Sequence, residues 1–210
     1  MRDGRAVHVI GAGGHAKVVV ATLQAAGFEV GAAWDDDPAR VGGNLLGVAI
    51  RGPVASVPAG APVVIAVGSN EARKALAGQL AGRSFVSVVH PTAFVHSSVI
   101  LGPGTVVFAG AVVQPDARLG EHVIVNTGAC VDHDCILESF VHVAPGVRLA
   151  GNVSLREGAF LGIGVSVVPG IEIGAWTIVG AGAVVVKNLA SKVTAVGCPA
   201  RAFQREQHKT

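Results

Sequence analysis

Cysteine is scarce in this chain: Cys130, Cys135 and Cys198 are the only three in 210 residues, and no two form a C-x-x-C pair. They read as core fillers rather than reactive thiols, and their scarcity favours a cytoplasmic, reducing home. Charged residues make up 14% and aromatics 4%, with a net charge of +2 and no basic cluster. A nucleic-acid partner therefore has no electrostatic support. No apolar run approaches the roughly 20 residues of a membrane span, so no membrane partner is expected, and no signal-peptide pattern opens the chain.

What the chain has in quantity is glycine, 29 residues, and hydrophobic side chains, half of the total. The hydrophobic residues are ordered. Every sixth residue from Val95 to Val185 is Val, Leu or Ile, and four places after most of them stands another small or aliphatic residue, such as Val123, Ala129, Val141 or Val147. A period of six fits neither a helix nor a lone strand, so the unit is a short strand plus a corner. This repeat resembles the hexapeptide repeat of left-handed parallel β-helices, in which three hexads make one triangular coil.

The pattern changes near His90-Pro91, which divides the chain into residues 1–89 and 90–210. Before it, strand and helix alternate: a strand over 6–10, a turn over 11–15, a helix over 16–26, strands over 30–34 and 62–67, and a helix over 71–80. The order implies a small, parallel, Rossmann-like sheet. Ligands bind such sheets at the carboxyl ends of the strands, which here carry Gly13, Gly14, His15, Asp35, Asp36 and Gly68. Gly11-x-Gly13-x-x-Ala16 also matches the dinucleotide fingerprint, with Asp35 about where a ribose-binding acid would stand. The sheet is short for a full dinucleotide, however, and bare amides at a helix N-terminus suit any diphosphate, including that of a nucleotide sugar. A purely structural glycine turn is the third reading.

Within the repeat, residues 126–134 gather polar groups. His133 is a corner residue between Asp132 and Asp134, an arrangement that holds an imidazole in one tautomer and suits a general base near neutral pH. A solvated surface histidine is the plainer alternative. Residues 18 apart stack at about 4.8 Å, so His133 lies beneath Gly151. The column of Pro145, Ile163 and Ala181 is read as its neighbour, leaving a smooth groove for a long, thin ligand. His142 is expected to approach that groove, from a neighbouring subunit if not from its own. The residue-151 amide is placed to donate to an oxyanion. The tail over 204–210 reads as polar and frayed.

Taken together, the Gly-x-Gly-Gly-His start, Asp35-Asp36, the His-Pro junction, the Asn126-Thr-x-x-x-x-x-His-Asp run and the closing Val196-Gly-Cys-Pro-Ala200 resemble the bacterial nucleotide-amino-sugar N-acetyltransferases and sialic acid O-acetyltransferases. The resemblance covers about residues 6–203. It implies an acetyl-CoA-dependent acyltransferase acting on a UDP- or GDP-linked amino sugar for surface glycan or glycoprotein synthesis. Further implied are His133 as base, Asp134 as the acid that tunes it, His142, Ile163 and Ala181 as acetyl-CoA contacts, and Gly13, Gly14, His15, Asp35, Asp36 and Gly68 as nucleotide-sugar contacts. Asn126 is assigned to positioning the amine or the base. Bacillosamine-pathway members carry glutamate where this chain has the shorter Asp134.

Other classes remain at this point. O-acetylation of a sugar is one; a nucleotide-binding trimer without catalysis is another. A zinc enzyme would need His122, His133 and His142 to converge, which their spacing does not favour, so no metal is expected. Outward apolar residues, Val112, Ile124, Ile136, Phe160, Ile178 and Val184, are too many to stay wet and point to a homotrimer with sites between subunits.

Overall fold

A computed structural model describes residues 6–203; the tail expected to fray lies outside them. The first part is a five-stranded sheet in the order β3-β4-β2-β1-β5, formed by β1 (Val7–Ile10), β2 (Val30–Trp34), β3 (Asn44–Leu45), β4 (Val48–Arg51) and β5 (Val63–Ile65). Strands β1, β2, β4 and β5 run parallel, and β3 adds an antiparallel edge. The β3–β4 hairpin was not anticipated from the sequence. It turns on Leu46 and Gly47, both at positive φ, with the Asn44 side chain accepting from the Gly47 N–H at 2.7 Å.

Helix α1 (Gly14–Ala25) starts two residues earlier than its apolar period suggests, because Gly13 serves as its N-cap without a side chain. Helix α2 (Asn70–Gln79) starts at Ser69, whose hydroxyl accepts from the Ala72 N–H at 3.2 Å. Among the described residues no helix is long and apolar enough to cross a membrane.

The second part is a left-handed parallel β-helix. Two-residue strands repeat every six residues and stack in register 18 apart, as in Val112↔Cys130 and Ile124↔His142. Three sheets result. Face one begins at Val88–Val89 and ends in the hairpin of Thr194–Val196 and Arg201–Phe203; face two runs from Phe94–Val95 to Val184–Val185; face three runs from Ile100–Leu101 to Glu172–Ile173. The second residue of each strand points inward, so Val107, Val113, Leu119, Val125 and their successors form one continuous core with the small residues four places on. The first coil strand, Val88–Val89, lies just before His90 and pairs with Val106–Val107.

The two parts share apolar packing. Val88, Val106, Phe108 and Ile124 of face one pack with Val7, Val9, Ala16, Val19, Val20 and Leu23. This corrects one expectation: Ile124, read as an outward residue awaiting a partner subunit, is 1% exposed because the N-terminal sheet and α1 cover it. Ile136 and Ile178 do remain exposed.

Candidate active site

His133 lies in the corner between faces two and three. Its successor Asp134 has φ 58°, a left-handed conformation that aspartate tolerates better than most residues. The turn aims the carboxylate back at the ring, and His133 Nδ1–H donates to Asp134 Oδ2 at 2.7 Å. A carboxylate only accepts, so the proton sits on Nδ1 and the lone pair on Nε2. Asp132 meanwhile accepts from the His133 backbone N–H at 2.8 Å. The hydrogen bond to Asp134 raises the imidazole pKa above its usual value, and the field of Asp132 adds to it. His133 and Asp134 are both about half exposed.

The ring lies across the next coil at Gly151. A Cβ there would sit 2.5 Å from His133 Cε1 and 2.6 Å from Nε2, so only glycine leaves room for the ring. The Gly151 N–H has no protein acceptor among the described residues. The Nε2 lone pair and an amide without a protein acceptor therefore lie on adjoining residues of the stack, Nε2 against the α-carbon side of Gly151, and proton removal and oxyanion stabilisation call for groups of these two kinds.

The other sequence-derived groups gather elsewhere. His142 starts a strand of face one and is 7% exposed. Its Nε2 meets Asn126 Nδ2 at 3.1 Å and its Nδ1 meets the Gly68 carbonyl at 3.3 Å. Asn126 therefore lies beside His142, at the corner between faces one and two, and not beside His133. His15 packs 6.0 Å from His142 and 5.5 Å from Phe108, ring centre to ring centre. Burial, then the Arg73 charge, lowers both imidazoles, His15 to about 4 and His142 to about 3. Both are neutral at pH 7.

Gly13 and Gly14 open α1, with open space over Gly14 and the Arg40 guanidinium 3.5 Å from where a Cβ on Gly13 would be. Asp35 is engaged by the protein itself: Oδ2 accepts from the Ala12 N–H at 2.7 Å and from Arg40 at 3.0 Å, while Oδ1 accepts from the Asp37 N–H at 2.9 Å. Burial pulls its pKa upward, but the amides of Asp37 and Ala12 and the Arg40 guanidinium outweigh it, leaving the carboxyl below its ordinary value. Asp36 accepts from the Val54 N–H at 2.8 Å. Arg40 was not singled out by the sequence, for nothing in residues 35–40 distinguishes it from a solvated arginine.

One geometric reading needs correction. Ile163, 63% exposed, and Ala181 follow strands of face one and lie at the corner leading to face two, as does Pro145. They are twelve residues out of phase with His133, two-thirds of a coil, and so occupy a different edge of the prism. The smooth column and His133 do not line one groove within a single chain. His142, Asn126, Gly68 and His15 lie on or near the Ile163 edge; His133, Asp134 and Gly151 lie on the next. His122 is 2% exposed and stacked on Phe140, so it does not converge with His133 and His142. Among the described residues no group of three or more His, Cys, Asp or Glu side chains is placed to hold a metal ion.

The family model for the PglD N-terminal domain matches residues 6–80. A perosamine N-acetyltransferase from Caulobacter crescentus, solved as a histidine-to-asparagine variant with CoA and GDP-perosamine, is 44% identical over 95% of this chain and 97% of that one, with a TM-score of 0.90. The acetyltransferase domain of PglB from Neisseria gonorrhoeae, solved with acetyl coenzyme A, is 37% identical over 95% and 99%, with a TM-score of 0.89. WeeI from Acinetobacter baumannii is 28% identical over 94% and 99%, at 0.86. Comparison with curated proteins gives no match.

Proposed function

Because this chain belongs to the hexapeptide-repeat nucleotide-amino-sugar N-acetyltransferases and is an acyltransferase, we propose that it transfers acetyl from acetyl-CoA to the amine of a nucleotide-linked amino sugar. The observation that carries this reading is the stacking of His133 Nε2 over Gly151, with Nδ1 held by Asp134.

The transfer is direct. The amine nitrogen attacks the thioester carbonyl carbon while His133 Nε2 takes the amine proton. The oxyanion accepts from the Gly151 N–H. Collapse of the tetrahedral adduct breaks the C–S bond, and the proton returns from His133 to the CoA thiolate. An uncharged amine is already a competent nucleophile, so the base supplies the usual factor of about 10²–10⁴, and binding supplies proximity.

The two-edge arrangement supports a homotrimer. Residues 13–15, Asp35, Asp36, Gly68, Asn126 and the column of His142, Ile163 and Ala181 hold the nucleotide sugar and acetyl-CoA at one edge. The base comes from the facing edge of a second copy, which also excludes water from a ring that is half exposed in one chain. The exposed Ile136 and Ile178 are consistent with contact between copies.

The test is a screen of UDP-, GDP- and dTDP-linked 4-amino sugars with acetyl-CoA, following free thiol release. His133→Ala is expected to lower kcat by about 10²–10⁴ while acetyl-CoA affinity stays nearly intact. Unchanged turnover, or a chain that is monomeric at micromolar concentration, removes the proposal.

A further inference from the structure

No motif marks Arg73, yet it is 1% exposed and heads the fully buried side chains among the described residues. Taking a guanidinium out of water is costly unless its donors are matched. Among the described residues no carboxylate forms an ion pair with it; every donor in use meets a carbonyl oxygen. Nε donates to His122 O at 2.9 Å, Nη1 to Val67 O at 3.2 Å and Gly68 O at 3.3 Å, and Nη2 to Asn70 Oδ1 at 2.9 Å and Phe140 O at 2.7 Å.

Those acceptors belong to three separate pieces of the molecule. Val67 and Gly68 lie in the loop after β5. Asn70 is on α2, and its amide continues the contact to Gly158 O at 3.0 Å and Ala159 O at 3.3 Å. His122 and Phe140 are stacked corners of the β-helix, 18 residues apart. The Gly68 carbonyl is also the partner of His142 Nδ1.

We propose that Arg73 is a positioning residue for the acceptor substrate: its planar fork fixes the residue 67–68 loop, and with it Gly68, at one height along the β-helix, while His142 is held independently by its own strand and by Asn126. The role rests on the function proposed above and extends it to a residue with no direct part in the chemistry. Only a guanidinium supplies five donors in a fixed plane; a lysine ammonium keeps the charge but not the fork. Burial lowers the Arg73 pKa to about 10, with Glu71 opposing, so the charge persists at neutral pH. Its field helps keep His15, His122 and His142 neutral, and neutral His142 keeps Nε2 free to accept from Asn126. Lys74 and Glu157 pair with each other at the surface nearby.

The experiment compares wild type, Arg73→Met and Arg73→Lys as full chains, measuring kcat, KM for each substrate and thermal stability. Arg73→Met is expected to raise KM for the amino-sugar nucleotide at least tenfold and leave KM for acetyl-CoA within twofold, with Arg73→Lys intermediate. If the methionine variant does not fold, the lysine variant carries the test, with the same sugar-only rise expected at about three- to tenfold. Both KM values unchanged, whether or not stability and kcat drop, means a merely structural arginine and overturns the assignment. A wild type that acetylates none of the amino-sugar nucleotides removes the underlying function instead. An active wild type with unmoved sugar KM in the variants removes only the role of Arg73.

Discussion

Gly151→Ala isolates the stacking on which the proposed chemistry depends. The added methyl would stand 2.5 Å from His133 Cε1 and 2.6 Å from Nε2, against about 3.5–4.0 Å for an unstrained carbon contact. The conflict must be relieved by a movement of about 1 Å. Gly151 is not among the residues at positive φ, so alanine suits its backbone. The neighbour to be displaced is an exposed ring, free to swing outward. The fold should therefore lose little, within about 1 kcal/mol. Catalysis should lose much more, because a displacement of about 1 Å at a reacting group costs on the order of 10²-fold. The swing also breaks the 2.7 Å hydrogen bond to Asp134. Thiol release should show kcat down by about 10²-fold, with KM for acetyl-CoA little changed and the melting temperature within a few degrees. A kcat within threefold of wild type would refute the stacked arrangement. A variant that fails to fold would refute the claim that the ring, not the backbone, gives way.

Asp134→Asn removes the main cause of the raised His133 pKa. A base works unprotonated, so the acidic limb of kcat/KM lies above the ordinary 6.5 in wild type and should move to lower pH in the variant, with kcat down by about tenfold or more. A limb that stays put refutes the coupling. The Arg40 guanidinium, 3.5 Å from the Cβ site of Gly13 at the start of α1, is placed to add a donor to a diphosphate held there, so Arg40→Met should raise KM for the nucleotide sugar by about tenfold, the worth of one charge-assisted hydrogen bond, and leave acetyl-CoA unaffected; equal effects on both substrates would argue against that contact. Acid should weaken the seam: His15 and His122 titrate at about 4 and His142 at about 3 when folded, against 6.5 unfolded. Their contribution is complete above pH 6.5 and declines as pH falls toward 4, by up to about 1.4 kcal/mol per unit for each histidine. Exposed His133 acts weakly in the opposite sense. Urea unfolding at pH 7.5, 6 and 5 reads the slope, and a flat profile would show that these rings are not held neutral.

How much was legible in the sequence depends on the range of the physics involved. The hexad period is a constraint on short stretches of backbone, so the β-helix and its inward residues, Val107 through Val185, could be read directly, as could β2 from its bounded apolar run. The candidate base was legible for the same reason, since Asp134 and His133 are adjacent and Gly151 is one coil away. Long-range cover was not legible. Ile124 carries the same outward signal as Ile136, but one lies under the N-terminal sheet and the other in water. Arg73 reaches acceptors up to 67 positions away, and its sequence neighbourhood is that of any solvated helix.

The misplaced groove has the same origin. A period of six locates a residue within its coil, but whether two residues share an edge depends on their separation modulo 18. His133 and Gly151 differ by a whole coil and meet; His133 and Pro145 differ by two-thirds of one and do not. The order of these residues along the chain therefore carries an argument about assembly. The proposed base on one edge and the proposed ligand column on the next could act on the same thioester only if a second prism turned its edge toward the first. In the proposed trimer, the half-exposed His133 of one chain and the nearly buried His142 of another would complete one site.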